Sequence, residues 1–252
     1  MVELEDKVIV ITGGGRGIGA AAAREFADRG ATVHICGRTE EELERVASSS
    51  ESIDAQILDL READAVEEWL ANIGGRHGRV DVVINNAGIL GPKRTLDETD
   101  VEAFRQVMDI NVVGAFATIR ASYPFLKRSE RPVVINLSSS VGRKGRASWG
   151  AYSISKFAVE GLTEVAADEL SDHGACVVSL NPGGTATKMR AEAYPDEDPN
   201  TLPSPDDVAS TLRLLVEVLT PAENGLKYSS RDLFEFADQE TQTPHASELP
   251  TA

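Results

Sequence analysis

The sequence predicts a doubly wound α/β fold, a central parallel sheet with helices on both faces. Two observations carry that expectation. Apolar, β-branched runs recur along the chain, and each is nearly continuous rather than alternating. Strands of that kind are buried on both faces, as in a parallel sheet. Helix-like stretches separate them at the spacing that a right-handed βαβ crossover requires.

Six strands are expected, at residues 8–11, 31–35, 55–58, 80–84, 133–137 and 175–180. The best helix candidates are 98–125 and 152–173, and a shorter one spans 20–29. The acidic run from Glu40 reads as a solvated helix start, favoured by the helix dipole. Residues 195–205 are polar and proline-punctuated, hence a loop, and 189–205 reads as a substrate lid. The polar tail 238–252 is expected to fray. No repeat or linker interrupts the pattern, so residues 1–252 read as one domain.

Composition narrows the function classes. The 252 residues include 41 acidic and 25 basic side chains, a net charge of −16. That balance disfavours nucleic acid and anionic membrane surfaces, which are held by clustered Lys and Arg. Arg (18) greatly outnumbers Lys (7). An acidic, Lys-poor chain resembles proteins of salt-loving microbes, and an ordinary acidic cytosolic protein fits equally well. No run approaches the ~18–20 apolar residues of a membrane span, and no signal peptide is visible, so a cytoplasmic location is expected. Cys36 and Cys176 cannot form a disulfide framework or a zinc site alone and read as small hydrophobes. His34, His77, His173 and His245 lack metal-ligand spacing, so no metal is expected; His34 reads as a hydrogen-bonded core residue.

The segment Thr12-Gly13-Gly14-Gly15-Arg16-Gly17-Ile18-Gly19 follows the first strand and opens a helix. Glycines permit a tight turn and let backbone approach a pyrophosphate, while the helix N-terminus favours its charge. In that context the turn points to nucleotide binding. Further on, Tyr152 and Lys156 stand four apart, on one face near the start of a helix. A phenol is a poor base at neutral pH, and a neighbouring ammonium favours its ionised form. Ser139 lies just past the fifth strand, at the carboxyl edge where such sheets bind ligands.

With Asn85-Asn86-Ala87-Gly88 and Asn111, these motifs closely resemble the short-chain dehydrogenase/reductase family, over about residues 5–190 and in order. Ser139 precedes Tyr152 by 13 positions, the separation usual in that family. The resemblance implies a Rossmann-type fold and hydride transfer between a nicotinamide and a carbonyl or secondary alcohol. It implies Tyr152 as general acid/base, Lys156 as its electrostatic partner and ribose anchor, and Ser139 as the substrate-orienting hydroxyl. Asn111 would interrupt helix bonding and hold a proton-relay water. Gly13, Gly15, Gly17 and Gly19 would underlie the pyrophosphate, with Ile18 beside them. Asp59 and Leu60 would meet the adenine, and Asn86, Ala87 and Gly88 the adenosine ribose. Pro182 and Gly183 would open the nicotinamide-side loop, with Thr185 and Thr187 near the carboxamide. The family's usual C-terminal strand ending is missing, and Asn224–Tyr228 stands in its place.

NADP(H) is expected over NAD(H), although NAD(H) stays possible. The acid that binds a ribose 2′-hydroxyl is replaced by Gly37, and Arg38 follows, 19 residues past Gly19. Arg38 and Arg16 suit a 2′-phosphate. The competing reading pairs Arg38 with Glu41 or Glu42 and leaves Arg16 in solvent. Trp149, Met189 and Tyr194 flank the catalytic positions and suit pocket lining as well as packing. The expected partner is a small carbonyl or alcohol substrate. A 3-oxoacyl-thioester reductase, using Arg143-Lys144-Gly145-Arg146 as a basic patch, and a catalytically weak NAD(P)-binding regulator are the alternatives. A homodimer or homotetramer joined through the two long helices is expected, the second offering Ala158, Val159, Leu162, Val165, Ala166 and Leu170.

Overall fold

The computed structural model describes residues 3–237 and 244–252. Seven strands form one parallel sheet: β1 (Val8–Thr12), β2 (Thr32–Gly37), β3 (Ile53–Ile57), β4 (Val82–Asn85), β5 (Val133–Leu137), β6 (Cys176–Asn181) and β7 (Lys227–Ser229). Their order is β3-β2-β1-β4-β5-β6-β7. Helices cover both faces, which makes the fold a Rossmann-type sheet. The order reverses between β1 and β4, and a ligand crevice opens at such a switch point.

The strands are apolar throughout because both faces are buried. Ile9 and Ile11 of β1 point to one side, into a cluster with Phe26 of α1 (Gly17–Ala27) and Leu212 and Leu215 of α8 (Pro205–Val218). Val8 and Val10 point to the other, against Trp69 and Leu70 of α3 (Ala63–His77). Each such burial contributes about 1.5–3 kcal/mol. The remaining helices are α2 (Glu40–Ala47), α4 (Val101–Met108), α5 (Gly114–Leu126), α6 (Gly150–Leu170), α7 (Lys188–Ala193) and α9 (Ser230–Ala237). No helix among the described residues is long and apolar enough to cross a membrane.

Several expectations change. The helix 98–125 is two helices, α4 and α5, joined by a π-helical turn at Asp109–Val113. The turn holds Asn111, at the position where the helix bonding was expected to break. The segment 189–205 is not a bare loop. Thr187 caps α7 by accepting the Arg190 N–H, a 3-10 turn spans Pro199–Thr201, and Pro205 already begins α8 behind its Ser204 cap. A C-terminal strand does exist: β7 pairs in parallel with β6 although its sequence departs from the expected ending. Of the tail, 238–243 lies outside the described residues. In the rest, Ala246 and Leu249 are buried and the Ala252 N–H donates to the Lys227 carbonyl.

The second helix's apolar surface also divides. Val159, Ala166 and Leu170 face the core, whereas Val165 is exposed together with Ile154 and Phe157. His34 and His77, far apart in sequence, meet at 3.0 Å between their Nε2 atoms, and Asp54 lies 3.6 Å from His34 Nδ1. Among the described residues no three potential ligands group as a metal site. Cys36 and Cys176 are buried and unpaired, and burial pushes both thiols up to about 12.

Candidate active site

The glycine turn leaves β1 beside the loop that ends β4, and hydrogen bonds lock the two together. Thr12 is buried, and its hydroxyl accepts the N–H groups of Asn86 (3.2 Å) and Ala87 (3.1 Å). The Asn86 amide donates back to the carbonyls of Thr12 (2.9 Å) and Gly13 (3.0 Å). Two glycines are required by geometry. Gly13 has φ +69°, and a Cβ there would stand 2.9 Å from the Ala87 Cα. At Gly19 a Cβ would meet the Gly13 carbonyl oxygen at 2.3 Å, so α1 packs directly on its own entry turn.

A cavity of about 670 Å³ runs from this turn across the carboxyl edge of the sheet. That size lies within the ~300–1,000 Å³ typical of small-molecule sites. Gly13, Gly15, Arg16, Gly17 and Ile18 line its middle. Arg38, Asp59 and Leu60 line one end, with Gly37 beside them. Asn86, Ala87 and Gly88 form a wall, and Tyr152, Lys156, Pro182 and Thr187 lie toward the other end. Gly19, Gly183 and Thr185 do not line it. Thr185 is buried, its hydroxyl donating to the Pro182 carbonyl at 3.3 Å, and Gly183 lies against Arg231.

At the catalytic end, α6 begins beside β5. Ser139 adopts extended backbone (φ −164°), and its hydroxyl accepts the Val141 N–H at 3.4 Å. Burial pushes the Tyr152 phenol up to about 12, against a hydrogen bond with Ser139 that lowers it. Lys156 is buried; burial lowers its ammonium to about 8, and the charge of Glu160 opposes that. Its Nζ donates to the Leu137 carbonyl at 2.6 Å and stands 5.6 Å from the centre of the Tyr152 ring. The π turn directs Asn111 inward rather than toward solvent. Its amide donates to the Ile89 carbonyl (3.0 Å) and the Ser155 hydroxyl (3.0 Å), and its Oδ1 accepts the Ile89 N–H (2.8 Å). Ser155 in turn donates to the Tyr152 carbonyl at 2.7 Å. Asn111 thereby ties the β4 loop to α6.

At the far end, the Arg61 guanidinium grips Asp59 at 2.6 Å and holds its carboxyl below the usual range. Arg16, not Arg38, faces Glu42, at 4.0 Å. Arg38 is exposed along the cavity and makes no ion pair among the described residues. The basic run after Ser139 is split. Arg143 turns inward to Glu160 (3.3 Å) and the Tyr228 carbonyl (2.9 Å), while Arg146 reaches the Tyr194 hydroxyl at 2.8 Å.

Sequence reasoning assigned no role to Thr12, Arg61, Ser155 and Glu160; Thr12, Ser155 and Glu160 contact residues far away in the chain, whereas Arg61 grips Asp59 two residues before it. It also passed over Ser138, whose buried hydroxyl lines the cavity without a hydrogen-bond partner. Two of them carried a local signal: Glu160 is a carboxylate one turn past Lys156, and Arg61 a guanidinium two residues past Asp59.

Comparison with known proteins agrees with this geometry. The model of the family described as short chain dehydrogenase matches residues 7–198. The chain is 42% identical over 212 residues to the uncharacterized oxidoreductase YciK of Escherichia coli (strain K12), covering 81% of this chain and 84% of that one. It is 33% identical over 222 residues to an NADPH-dependent pterin aldehyde reductase of Arabidopsis thaliana, covering 87% and 91%. A crystal structure of a short chain dehydrogenase from Shigella flexneri, complexed with NADP, superposes with a TM-score of 0.86 at 38% identity, covering 91% of this chain and 99% of that one. A phosphate turn at the switch point, a Ser-Tyr-Lys cluster at the sheet's carboxyl edge and these matches lead to one conclusion: the chain belongs to the short-chain dehydrogenase family of oxidoreductases.

Proposed function

We propose that the protein is an NADP(H)-preferring dehydrogenase/reductase acting on a small carbonyl compound or secondary alcohol. One observation carries the reading: a single cavity joins the glycine turn, Arg16 and Arg38 to Tyr152 and Lys156. The Shigella flexneri and Arabidopsis thaliana proteins, which bear NADP and NADPH in their descriptions, support the cofactor. Gly13, Gly15 and Gly17 would hold the pyrophosphate, and Arg38 a 2′-phosphate, with Arg16 able to leave Glu42 for it.

The Tyr152 end of the cavity would hold the nicotinamide, which would supply hydride-transfer chemistry there. The protein's own part is the proton. With the phenol held near 12, Tyr152 stays protonated at neutral pH and can donate to an oxygen that becomes an alkoxide. The Ser139 hydroxyl donates to the same oxygen and fixes its position. The Lys156 ammonium favours the phenolate that remains after transfer. In the oxidative direction the same pair accepts the alcohol proton.

The test is a panel of ketones, aldehydes and alcohols with NADPH and NADH, followed at the nicotinamide absorbance, for the native protein and Tyr152→Phe. Turnover lost by at least about 10²-fold in Tyr152→Phe, with cofactor binding retained, is the expected result. Near-native turnover in that variant removes Tyr152 from its role. Cofactor binding without turnover of any compound overturns the enzyme reading in favour of a nucleotide-binding regulator.

A further inference from the structure

We propose that the substrate side of this site receives an anionic carbonyl compound, its carboxylate held by Lys93 beside Trp149. The inference deepens the oxidoreductase reading and rests on it. A second cavity, of about 370 Å³, adjoins the same cleft and shares Arg16, Gly88, Ile89 and Met189 with it. Leu90, Gly91, Lys93 and Glu192 complete its lining, so Lys93 is the one ammonium in it.

The placement of Lys93 is specific. Its Nζ stands 5.0 Å from the Trp149 ring centre and 4.6 Å from that of Tyr194, and it donates to the Ala193 carbonyl at 2.5 Å. Two aromatic faces and a carbonyl thus orient the ammonium without neutralising it. Among the described residues Lys93 makes no ion pair, although the chain carries 41 acidic side chains against 25 basic ones. The neighbouring cations differ. Arg190 is neutralised by Glu197 at 2.5 Å, and Arg143 by Glu160, whereas Arg146 meets only the neutral Tyr194 hydroxyl. Glu192 is the one carboxylate lining the cavity, and it is not paired with Lys93. Lys93 is exposed at the rim of this cavity, and an unpaired cation there raises the local concentration of anions against the repulsion of the protein's net negative charge.

Trp149 links this ammonium to the chemistry. Its ring centre lies 6.0 Å from that of Tyr152 and 5.0 Å from the Lys93 Nζ, so it neighbours both. A substrate lying along Trp149 can therefore present a carbonyl to Tyr152 and a carboxylate to Lys93. Beyond the bond to Ala193 the ammonium keeps two N–H donors, which a carboxylate can draw from the aromatic faces. The Arg146 side chain, 5.9 Å from the Trp149 ring centre, adds positive charge at the same end.

The experiment measures kcat/KM with NADPH for aliphatic and aromatic oxo acids, each against its own methyl ester, at one fixed ionic strength. The native protein, Lys93→Met and Lys93→Arg are compared. A charge-assisted contact predicts that the best acid exceeds its ester by about tenfold or more. That ratio should collapse toward unity in Lys93→Met and persist in Lys93→Arg. Esters turned over as well as, or better than, their acids in the native protein overturn this inference and leave the oxidoreductase reading intact. An acid preference that survives Lys93→Met overturns the role of Lys93. Failure to turn over any carbonyl compound overturns the oxidoreductase reading, and this inference with it.

Discussion

Glu160 lies one helical turn beyond Lys156 on α6, and its buried carboxylate supports the ammonium that burial works to discharge. The carboxylate is itself satisfied on the side away from the cavity. The Ser179 hydroxyl donates to it at 2.8 Å, Arg143 Nε approaches to 3.3 Å and Lys227 Nζ to 3.7 Å. Tyr152, Lys156 and Glu160 thus form a row along one face of the helix, acid, cation and anion in sequence.

Replacing Glu160 by Gln should therefore move a pH profile rather than simply lower a rate. Lys156 loses its charge as pH rises through about 8, and without the Glu160 charge that loss comes at lower pH. The alkaline limb of kcat should shift toward acid in Glu160→Gln. An unmoved limb would show that Glu160 serves packing alone.

Cofactor choice should reverse on changing two adjacent residues. A Cβ at Gly37 would make ordinary contact with Leu43, at 3.4 Å, so an aspartate fits without displacing backbone. Gly37→Asp with Arg38→Ala removes an attraction to the 2′-phosphate of about 1.5–3 kcal/mol and adds a repulsion. The native enzyme should favour NADPH over NADH by about tenfold or more in kcat/KM, and the double variant NADH. Equal values in the native enzyme would refute the assignment of Arg38.

Acid should destabilise the fold through His34. Burial, with the His77 and Arg76 charges, lowers its pKa from 6.5 to about 4, and the Asp54 carboxylate opposes this only in part. Between those values the unfolded chain binds the extra proton, so stability falls as pH drops from 6.5 toward 4 and then levels. The contribution is about 3 kcal/mol. Urea midpoints across that range should fall for the native protein and fall less for His34→Leu. Parallel curves would assign the acid sensitivity to other groups.

Association of the chain with itself should run through the outer faces of α4, α5 and α6. Phe116 of α5 is 52% exposed, Phe157 and Val165 of α6 are 47% and 55%, and Val113 of the π turn and Ile154 of α6 are exposed as well. Exposed apolar side chains on these helices are the surface on which this expectation rests. Light scattering at micromolar concentration should report a dimer or tetramer, and Phe116→Glu with Phe157→Glu should shift it toward monomer. A native monomer in high salt would dismiss the expectation.

What the sequence determined by itself was local or periodic. Continuous apolar runs such as 133–137 require a sheet buried on both faces, and the glycines after the first strand require a tight turn at a helix start. Tyr152 and Lys156 share a face because four residues are about one helical turn. Asn111 was legible as a break in helix bonding only through the family resemblance, and the π turn bears that out. Other features depended on tertiary structure, because they arise between residues far apart in the chain. His34 meets His77 only because β2 and the end of α3 are packed together. Thr12 and Asn86 lock the phosphate turn only because β1 and β4 are neighbours across the switch point. The buried ends of the tail, Ala246 and Leu249, belong to a segment that reads as polar, and contact with the core keeps them in place. The same holds at the substrate side. Lys93, Trp149 and Tyr194 carry no shared motif, and their union is a product of packing, since cation–aromatic geometry depends on where three separate loops come to rest.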